Sequence, residues 1–284
     1  MKAIGILHHP KIPASQSLSA EIARWIEGRG YGAWQCSGWD EQAVRARVAQ
    51  LDLLITLGGD GTILRAARIG ALHRVPILGI NMGRLGFLAE IRPTEWRDRL
   101  KEVLQGDYWL ERRMMLDAEL WRGGKCLQRH VALNDVVISR GCLARIIRLG
   151  ADIDGHHVTT YQGDGLIVAT PTGCTAYALA CGGPILPPEL RTILLVPIAP
   201  HLSLDRAIVL ADGATVSIHV CTDHVAVLTL DGQSAIELAD DDRVVAHASP
   251  HSVLFMRTQG RGYFYQTLME RLGNPYGVGG AGDG

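Results

Sequence analysis

The hydrophobic period of this 284-residue chain changes near Leu110, and this change constrains the fold more than any other feature. Before it, short apolar runs alternate with segments whose apolar residues recur at helical spacing, as in Leu18, Ile22 and Ile26. Strands alternating with helices are typical of βαβ units and a parallel sheet. After Leu110, strand-like runs follow one another with Asp-Gly turns between them. That pattern is typical of a β-sandwich or a related all-β domain.

The alternation in the first part predicts individual elements. Strands are predicted over Lys2–Leu7, Tyr31–Cys36, Leu51–Leu57 and Pro76–Ile80. Helices are predicted over Leu18–Ile26, Glu41–Gln50, Thr62–Ile69 and Glu95–Gln105. Ser17 and Asp40 stand where N-caps of the first two helices belong, and Gly106 is expected to end the last.

The second part predicts a different architecture. Residues 1–109 form a Rossmann-like α/β domain in this interpretation, and residues 110–246 form a β-rich, β-sandwich-like domain. RGGK separates two strand-like runs there and suits a hairpin turn, and one short helix is expected to open at Thr175. The segment 247–284 contains a helical pattern over Tyr263–Leu272, followed by a glycine-rich flexible tail from about residue 274.

Composition excludes several classes of protein. Hydrophobic residues make up 47% and charged residues 20% of the chain, which is typical of a folded globular protein. The formal net charge of -1 gives no general attraction to nucleic acid or to an anionic membrane. We expect a cytoplasmic protein, because the apolar run in MKAIGILHHP is too short for a signal peptide. The six cysteines form no C-x-x-C pair, so we expect reduced, mostly buried thiols and no structural metal.

A glycine-rich loop follows the apolar strand Leu51–Leu57, in the sequence LITLGGDGTILRAA. It is not a Walker A loop, because no Lys-Ser/Thr pair follows the glycines, and it is not a G-x-G-x-x-G turn. Gly58, Gly59 and Gly61 permit close approach of a ligand. A helix that begins near Thr62 offers backbone N–H groups to a phosphate. These residues are therefore candidates for a phosphate-donor loop.

Asp60 lies inside this loop, where its charge would repel a phosphate. A hydroxyl group or Mg²⁺ is a better partner. A carboxylate beside a phosphate-binding loop suits a kinase, because it can take the proton of the attacking hydroxyl while the loop and Mg²⁺ hold the donor. The alternative is an aspartate that caps the following helix. Local sequence does not separate these two interpretations.

Two further segments carry candidate functional residues. Asn134 and Asp135 precede an apolar strand, where an amide and a carboxylate can bind an adenine edge and ribose hydroxyls, or can form an ordinary turn. Between Gly163 and Ile185, Asp164 lies between glycines and a buried strand runs into a loop rich in hydroxyls. Tyr177 follows this loop and either stacks on a base or ring or belongs to the core.

In their order and intervals, these segments resemble the NAD kinase family. The resemblance is carried by GGDGT (Gly58–Thr62), Asn134-Asp135, DGLIVATPTGCTAY (Asp164–Tyr177) and Asp231-Gly232-Gln233. NMGRLGFLAEI and PIAPHLSLDRAIVL are similar to further family segments, so the resemblance covers the chain from Ile4 to Leu272. GGDGT alone is shared with diacylglycerol and sphingosine kinases, and the Asp164–Tyr177 block is the specific part.

The resemblance implies an enzyme that transfers a phosphoryl group to an alcohol. Family members move the γ-phosphoryl of ATP, or in some cases of polyphosphate, to the 2′-hydroxyl of the adenosine ribose of NAD, giving NADP. It also implies Mg²⁺ or another divalent cation, bound mainly through the nucleotide. The fold implied is an α/β domain and a β-rich NAD-binding domain, with NAD in the cleft between them and the last segment returning to the first domain. Homodimers or homotetramers are implied, with no nucleic acid or membrane partner.

The resemblance also implies roles for individual residues. Asp60 would be the base toward the 2′-hydroxyl, with Gly61 beside it. Asn134 and Asp135 would hold the adenosine, and Ala199 and His201 would lie at the nicotinamide side. The remaining positions implied for the NAD site are Phe87 and Leu88 at the adenine end, and Asp164, Thr175, Ala176 and Tyr177 along its wall.

The chain departs from the family pattern at several positions. The family usually has Glu where Asp135 stands and commonly has Ser where Cys174 and Ala180 stand, and some members have Arg where Gln162 stands. Two alternatives remain at this point. One is a lipid or sugar kinase that shares the GGDGT loop, and the other is a non-catalytic protein that senses NAD or another nucleotide.

Overall fold

The computed structural model of the chain describes residues 1–83, 86–141, 145–201 and 204–272. It divides into two compact units. The first comprises Met1–Glu111 together with the chain from Phe255 onward, and the second comprises Arg112–Leu254. The predicted fold class is confirmed: an α/β unit, a β-rich unit, and a C-terminal segment that belongs to the first unit.

The elements of the first unit follow the predicted alternation. In chain order they are β1 (Ala3–His8), α1 (Pro13–Glu27), β2 (Gly32–Ser37), α2 (Glu41–Arg47), β3 (Leu53–Gly58), α3 (Asp60–Gly70), β4 (Ile77–Asn81) and α4 (Trp96–Gln105). Two long strands, β5 (Trp109–Arg122) and β16 (Arg243–Arg257), run from one unit into the other, and α6 (Tyr263–Leu272) follows β16.

The sheet of the first unit has the strand order β2-β1-β3-β4-β16. β1 pairs in parallel with β2 and β3, and β3 pairs in parallel with β4. The end of β16 joins β4 in parallel through Phe255, opposite Ile77. Every residue of β3 is buried, as expected for a strand covered on both faces. Ile22 of α1 and Leu100 of α4 belong to the core that covers this sheet.

The ends of the helices in this unit depend on local sequence signals. Most of these signals could be read from the sequence. Asp40 accepts a hydrogen bond from the backbone N–H of Ala43 at 3.0 Å, and Gly106 ends α4 with φ at 93°, as predicted. The prediction that Ser17 caps the first helix is wrong. That helix begins at Pro13, four residues before Ser17. At the first helical position proline loses no hydrogen bond, because the N–H group there has no partner within the helix, and its fixed φ suits the helix.

The second unit is built from two antiparallel sheets. Its strands, besides parts of β5 and β16, are β6 (Lys125–Ala132), β7 (Asp135–Arg140), β8 (Ile147–Ile153), β9 (His156–Gly163), β10 (Gly165–Ala169), β11 (Thr192–Ile198), β12 (Ile208–Ala211), β13 (Thr215–Cys221), β14 (Ala226–Leu230) and β15 (Ser234–Leu238). One sheet has the order β12-β11-β10-β7-β14-β15. The strands of the other sheet have the order β16-β13-β8-β9. Leu149 and Ile218 of one sheet share a core with Val168 and Leu228 of the other, as in a β-sandwich.

Two local predictions in this unit have different outcomes. The RGGK hairpin is confirmed, with Gly123 and Gly124 both at positive φ between β5 and β6. The helix expected at Thr175 begins later. A single 3₁₀ turn covers Gly173–Thr175, and the short helix α5 covers Tyr177–Ala180, because Ala176 between them has φ -98° and ψ -127°.

Boundaries and cysteines also differ from expectation. Breaks were predicted at residues 109/110 and 246/247, whereas the compact units divide at 111/112 and 254/255, because β5 and β16 each continue from one unit into the other. Among the described cysteines only Cys174 is buried, so the prediction of mostly buried thiols is wrong. The predicted tail from about residue 274 lies outside the described residues. Within residues that the structure describes, no helix is long and apolar enough to cross a membrane.

Candidate active site

The glycine loop joins the end of β3 to the start of α3, at the carboxyl edge of the parallel strands. In the order β2-β1-β3-β4 the connections reverse direction between β1 and β3, and open α/β sheets bind ligands at such a point. A Cβ on Gly58 would lie 2.2 Å from Oγ1 of Thr62, so glycine is required for that hydroxyl to turn onto the strand end. No described atom lies within 4 Å of where a Cβ on Gly59 would be, so a ligand can approach the backbone there.

The Thr62 hydroxyl is a further candidate donor for a phosphate. Its oxygen is buried and makes no hydrogen bond within the described part of the chain. Buried polar groups are normally paired, so an unpaired hydroxyl beside an open glycine loop indicates a ligand that completes the pairing. The Thr62 hydroxyl and the N–H groups at the start of α3 are therefore candidates for binding a phosphate.

Asp60 lies in the first turn of α3, after the N-cap Gly59. The two carboxylate oxygens accept hydrogen bonds from the backbone N–H groups of Phe87 at 3.0 Å and Leu88 at 3.3 Å. The interpretation of Asp60 as a helix cap is therefore wrong. Each oxygen keeps a second lone pair, so the carboxylate can still accept from a substrate hydroxyl.

Gly86 makes this position of Asp60 possible. A Cβ on Gly86 would lie 1.8 Å from Oδ1 of Asp60, so any side chain there would displace the carboxylate. In the sequence, Gly86 stands only as one glycine of the segment NMGRLGFLAEI, without a predicted role. No local pattern could have assigned one, because Gly86 lies 26 positions after Asp60 in the sequence.

In the second unit, Asp231 organises the turn that carries Asn134 and Asp135. Its Oδ1 accepts from the N–H groups of Asn134 at 2.7 Å and Asp135 at 3.3 Å, and its Oδ2 accepts from Leu133 at 3.1 Å. The N–H of Asp231 donates in return to the Asp135 carbonyl at 3.0 Å. The sequence marked Asp231 only as part of the Asp231-Gly232-Gln233 segment of the family resemblance, so its role as the acceptor for three backbone N–H groups was missed.

Asp135 is the first residue of β7 and is 4% exposed. Burial, and second the negative charge of Asp231, raise the pKa of the Asp135 carboxyl from 3.8 to about 7. The group is therefore about half protonated near neutral pH. It can donate a hydrogen bond in one form and accept only in the other.

Asp164 and Tyr177 lie in one neighbourhood of the second unit. Nε of Arg140 forms an ion pair with Oδ1 of Asp164 at 2.7 Å. Burial, and then the nearby Cys181 and Asp164, raise the pKa of the Tyr177 hydroxyl. Because Tyr177 is 46% exposed, the alternative that its ring belongs to the core is wrong, and the ring is accessible for stacking.

The remaining predicted positions of the second unit adjoin these residues. Gly173 packs directly on the Asn134 carbonyl, since a Cβ there would lie 2.0 Å from that oxygen, and Thr175 and Ala176 follow it. His201 donates its N–H to the carbonyl of Gln162, close in sequence to Asp164.

Ala199 has φ of 43°, in the left-handed region that a residue with a side chain rarely adopts. A Cβ on Gly163 would lie 2.8 Å from the Ala199 oxygen, so this strained loop lies against the end of β9. Strain of this kind often accompanies a binding site. The second unit thus brings Asn134, Asp135, Asp164, Thr175, Ala176, Tyr177, Ala199 and His201 into one region, and the first unit brings Asp60 and Gly61 together with Phe87 and Leu88.

A glycine loop with a fixed carboxylate, on a fold of this kind, is typical of a phosphotransferase. Models of two domains match the chain: the ATP-NAD kinase N-terminal domain over residues 29–108 and the ATP-NAD kinase C-terminal domain over residues 133–258. The chain belongs to the NAD kinase family. It is an enzyme with NAD kinase activity, and neither the lipid or sugar kinase nor the sensing protein is favoured.

Relatives of similar length support this assignment. The chain is 42% identical to the NAD kinase of Chloroflexus aurantiacus over 272 residues, which cover 96% of this chain and 99% of that protein. It is 37% identical to the NAD kinase of Dehalococcoides mccartyi strain CBDB1, over 95% of this chain and 96% of that one.

Two solved structures share the fold. The yeast NADH kinase complexed with NADH has a TM-score of 0.82 at 24% identity and covers 100% of this chain and 89% of its own. The NAD kinase from Archaeoglobus fulgidus in complex with ATP has a TM-score of 0.78 at 24% identity, over 94% of this chain and 98% of that one.

Proposed function

We propose that this chain transfers the γ-phosphoryl group of ATP to the 2′-hydroxyl of the adenosine ribose of NAD, giving NADP and ADP. The observation that carries this proposal is the Asp60 carboxylate, held by the N–H groups of Phe87 and Leu88 beside an open glycine loop. Catalysis of phosphoryl transfer depends mainly on positioning and on charge stabilisation, and a fixed carboxylate next to a phosphate loop supports both.

In the proposed reaction Asp60 accepts the proton of the 2′-hydroxyl as its oxygen attacks the γ-phosphorus. The new bond joins the ribose oxygen to phosphorus, and the bond between the γ-phosphorus and the bridging oxygen of ADP breaks. Backbone N–H groups of the Gly58–Thr62 loop and the Thr62 hydroxyl stabilise the phosphate oxygens during transfer. This assignment uses the buried hydroxyl that otherwise has no partner in the described residues.

The residues of the second unit bind the dinucleotide in this proposal. Asn134 and Asp135 hold the adenosine, and their geometry depends on the three N–H groups accepted by Asp231. Tyr177 offers an exposed ring for stacking, and Asp164 has its charge balanced by Arg140. The remaining positions proposed to line the site are Thr175, Ala176, Ala199 and His201.

Mg²⁺, or another divalent cation, fits this site as an ion carried by the nucleotide. The described residues include no group of three or more His, Cys, Asp or Glu side chains arranged to hold a metal ion. Mg²⁺ usually keeps several waters and is bound through phosphates and one or two carboxylates, so a dedicated protein cage is not required. The ion would neutralise charge on the transferred phosphoryl group, with Asp60 as the nearest carboxylate in the glycine loop. We also propose a homodimer or homotetramer that works in the cytoplasm, as family membership suggests.

A coupled assay tests the proposed function. Purified protein with Mg²⁺, ATP and NAD is expected to form product that an NADP-specific dehydrogenase reduces, which identifies phosphorylation at the 2′ position. Parallel reactions contain diacylglycerol or sphingosine in place of NAD, and polyphosphate in place of ATP. NAD binding without NADP from any donor, or turnover of a lipid without turnover of NAD, would contradict the proposal.

The ionisation of Asp135 predicts a pH dependence of NAD binding. Its carboxylate form accepts hydrogen bonds from ribose hydroxyls more strongly than its neutral form does. Because the pKa of Asp135 is raised to about 7, we expect the KM for NAD to fall about fivefold as pH rises from 6 to 8. Asp135→Asn is expected to remove this dependence.

The matched control is Asp154→Asn, which changes another aspartate of the second unit that accepts a single backbone N–H, from Thr215. This variant should keep the wild-type pH profile of the KM for NAD.

The folded state favours protonated Asp135. The stabilising effect of this group is therefore complete at low pH and is lost as pH rises from about 4 through 7. The thermal midpoint of Asp135→Asn should therefore rise relative to that of the wild type across that range. An unchanged KM profile in Asp135→Asn would contradict the proposed adenosine contact.

A further inference from the structure

An exposed tryptophan stands beside the glycine loop in the first unit. Of the six tryptophans, all of them in described residues, Trp39 is the one whose side chain is classed as exposed, at 39%. Its exposed indole surface is available for contact with a ligand. The imidazole of His9 and the guanidinium of Arg65 contact its ring. We refer to His9, Trp39 and Arg65 as the Trp39 platform.

The platform combines an aromatic ring with a planar cation. The imidazole of His9 meets the Trp39 indole edge to face, with ring centroids 4.4 Å apart. The guanidinium carbon of Arg65 lies 4.7 Å from the Trp39 ring centroid, in a cation–π arrangement. Glu41 forms an ion pair with Arg65 at 3.6 Å. Bases bind to proteins by stacking on aromatic side chains and on arginine planes of this kind.

The platform is joined to the phosphate loop by short connections. Gly38, directly before Trp39, packs on the loop, because a Cβ there would lie 3.3 Å from Cγ2 of Thr62. Gly38 also donates its N–H to the His8 carbonyl at 2.9 Å, and His9 donates to the Leu57 carbonyl at 3.1 Å. These bonds tie the carboxyl ends of β1, β2 and β3 together. The platform is thus built on the edge of the sheet that holds the loop.

Arg65 is four residues after Gly61 on α3, about 6 Å along the helix axis at the usual rise per residue. A triphosphate that begins at the loop can therefore extend toward the platform without leaving the first unit.

His9 adds a hydrogen-bond donor to this surface. Its Nδ1 accepts the backbone N–H of Lys11 at 3.1 Å, which leaves the ring proton on Nε2. Burial, and second the positive charge of Lys11, lower the pKa of the His9 imidazole, so the ring is neutral at pH 7. A neutral imidazole with a free Nε2–H suits a sugar hydroxyl or a phosphate oxygen.

From this arrangement we infer that the Trp39 platform binds the base and sugar of the phosphoryl donor, so that the enzyme selects a nucleoside triphosphate over inorganic polyphosphate. The inference rests on the proposed function, because it takes the glycine loop as the site of the donor's phosphates. Polyphosphate can use that loop but has no base to stack on Trp39. The platform therefore determines donor specificity and leaves the acceptor site unaffected.

Equilibrium binding separates base recognition from phosphate recognition. The two probes are β,γ-methylene-ATP, which has a base, and tripolyphosphate, which has none, each titrated calorimetrically with Mg²⁺ present. Trp39→Ala is expected to raise the Kd for β,γ-methylene-ATP about tenfold and to leave the Kd for tripolyphosphate within about twofold. Trp39→Phe keeps an aromatic face and should bind both probes within about threefold of the wild type. Arg65→Ala tests the platform independently. It should weaken the binding of β,γ-methylene-ATP and leave the binding of tripolyphosphate unchanged.

The matched control is Trp121→Ala, which removes another tryptophan with an arginine over its ring, Arg243 at 5.4 Å, but in the second unit. This variant should bind both probes as the wild type does. A Trp39→Ala protein that keeps the wild-type Kd for β,γ-methylene-ATP, or that loses both probes equally, overturns the inference. If the wild type forms NADP, the proposed function stands whichever result the Trp39→Ala titrations give. If the wild type forms no NADP, the difference in Kd between the wild type and Trp39→Ala still decides the inference.

Discussion

Replacing Asp60 by Asn is expected to lower kcat for NADP formation about 1,000-fold and to change the KM for NAD only about threefold. An amide has the size of the carboxylate but cannot take the proton of the 2′-hydroxyl, and a positioned base contributes roughly 100- to 10,000-fold. A loss confined to kcat identifies an interaction made in the transition state. Steady-state measurement of NADP across pH 6 to 9 gives both constants.

The control for this variant must also remove an acceptor of backbone N–H groups. Asp60 binds the N–H groups of Phe87 and Leu88, so the Asn variant turns its NH₂ group toward one of them. Asp52 has a similar role, since it accepts from the N–H groups of Lys2 and Ala3 in the same unit. Asp52→Asn should keep kcat within about twofold. A kcat for Asp60→Asn within tenfold of the wild type would exclude Asp60 as the base.

The fold could be predicted where its signals are local. The apolar run of β3, the Asp40 cap and the two glycines of the β5–β6 hairpin each act over a few residues, and each appeared as expected. The start of α1 was missed because two local signals compete. Serine is a good N-cap, but proline at the first helical position begins the helix earlier.

The site was only partly predictable because its critical contacts are distant in sequence. The glycine loop identifies Asp60 as a candidate, but the direction of its carboxylate depends on residues 27 and 28 positions later. The Asn134-Asp135 turn depends on Asp231, which lies 96 positions after Asp135. Local patterns indicate which residue types are available. Which of them meet depends on the topology of the sheets.

A buried ionic network connects the returning C-terminal segment to the loop that holds Asp60. Arg257 is fully buried, and its Nε and Nη2 contact Oε2 of Glu111 at 2.9 and 2.8 Å. Tyr263 donates its hydroxyl to the same carboxylate. Nη1 of Arg257 donates to the Leu88 carbonyl at 2.8 Å, and the N–H of Leu88 binds Asp60. The support of Asp60 therefore includes a residue of the last segment of the chain.

Arg257→Ala is expected to lower the free energy of unfolding by about 3–5 kcal/mol, the usual cost of leaving the partner of a buried charge unpaired. Glu111 would lose its contacts with this cation, and the Leu88 carbonyl would lose its donor. The thermal midpoint should fall by about 10 °C, measured by scanning calorimetry. A fall in kcat at temperatures where the variant stays folded would follow from the loosened Leu88 contact to Asp60.

A double variant distinguishes the loss of a buried pair from general damage to packing. Glu111→Gln combined with Arg257→Met removes one buried charge of each sign and fills the space, while Glu90, 3.7 Å from Arg257, keeps its hydrogen bonds from Thr258. The double variant should therefore recover part of the stability that Arg257→Ala loses. Arg99→Ala breaks a partly exposed pair with Glu102 in the same unit, 3.1 Å apart, and should cost less than about 1 kcal/mol. If Arg257→Ala costs no more than Arg99→Ala, the buried pair does not hold the C-terminal segment to the first unit. Asp60 would then depend on the Phe87 and Leu88 loop alone.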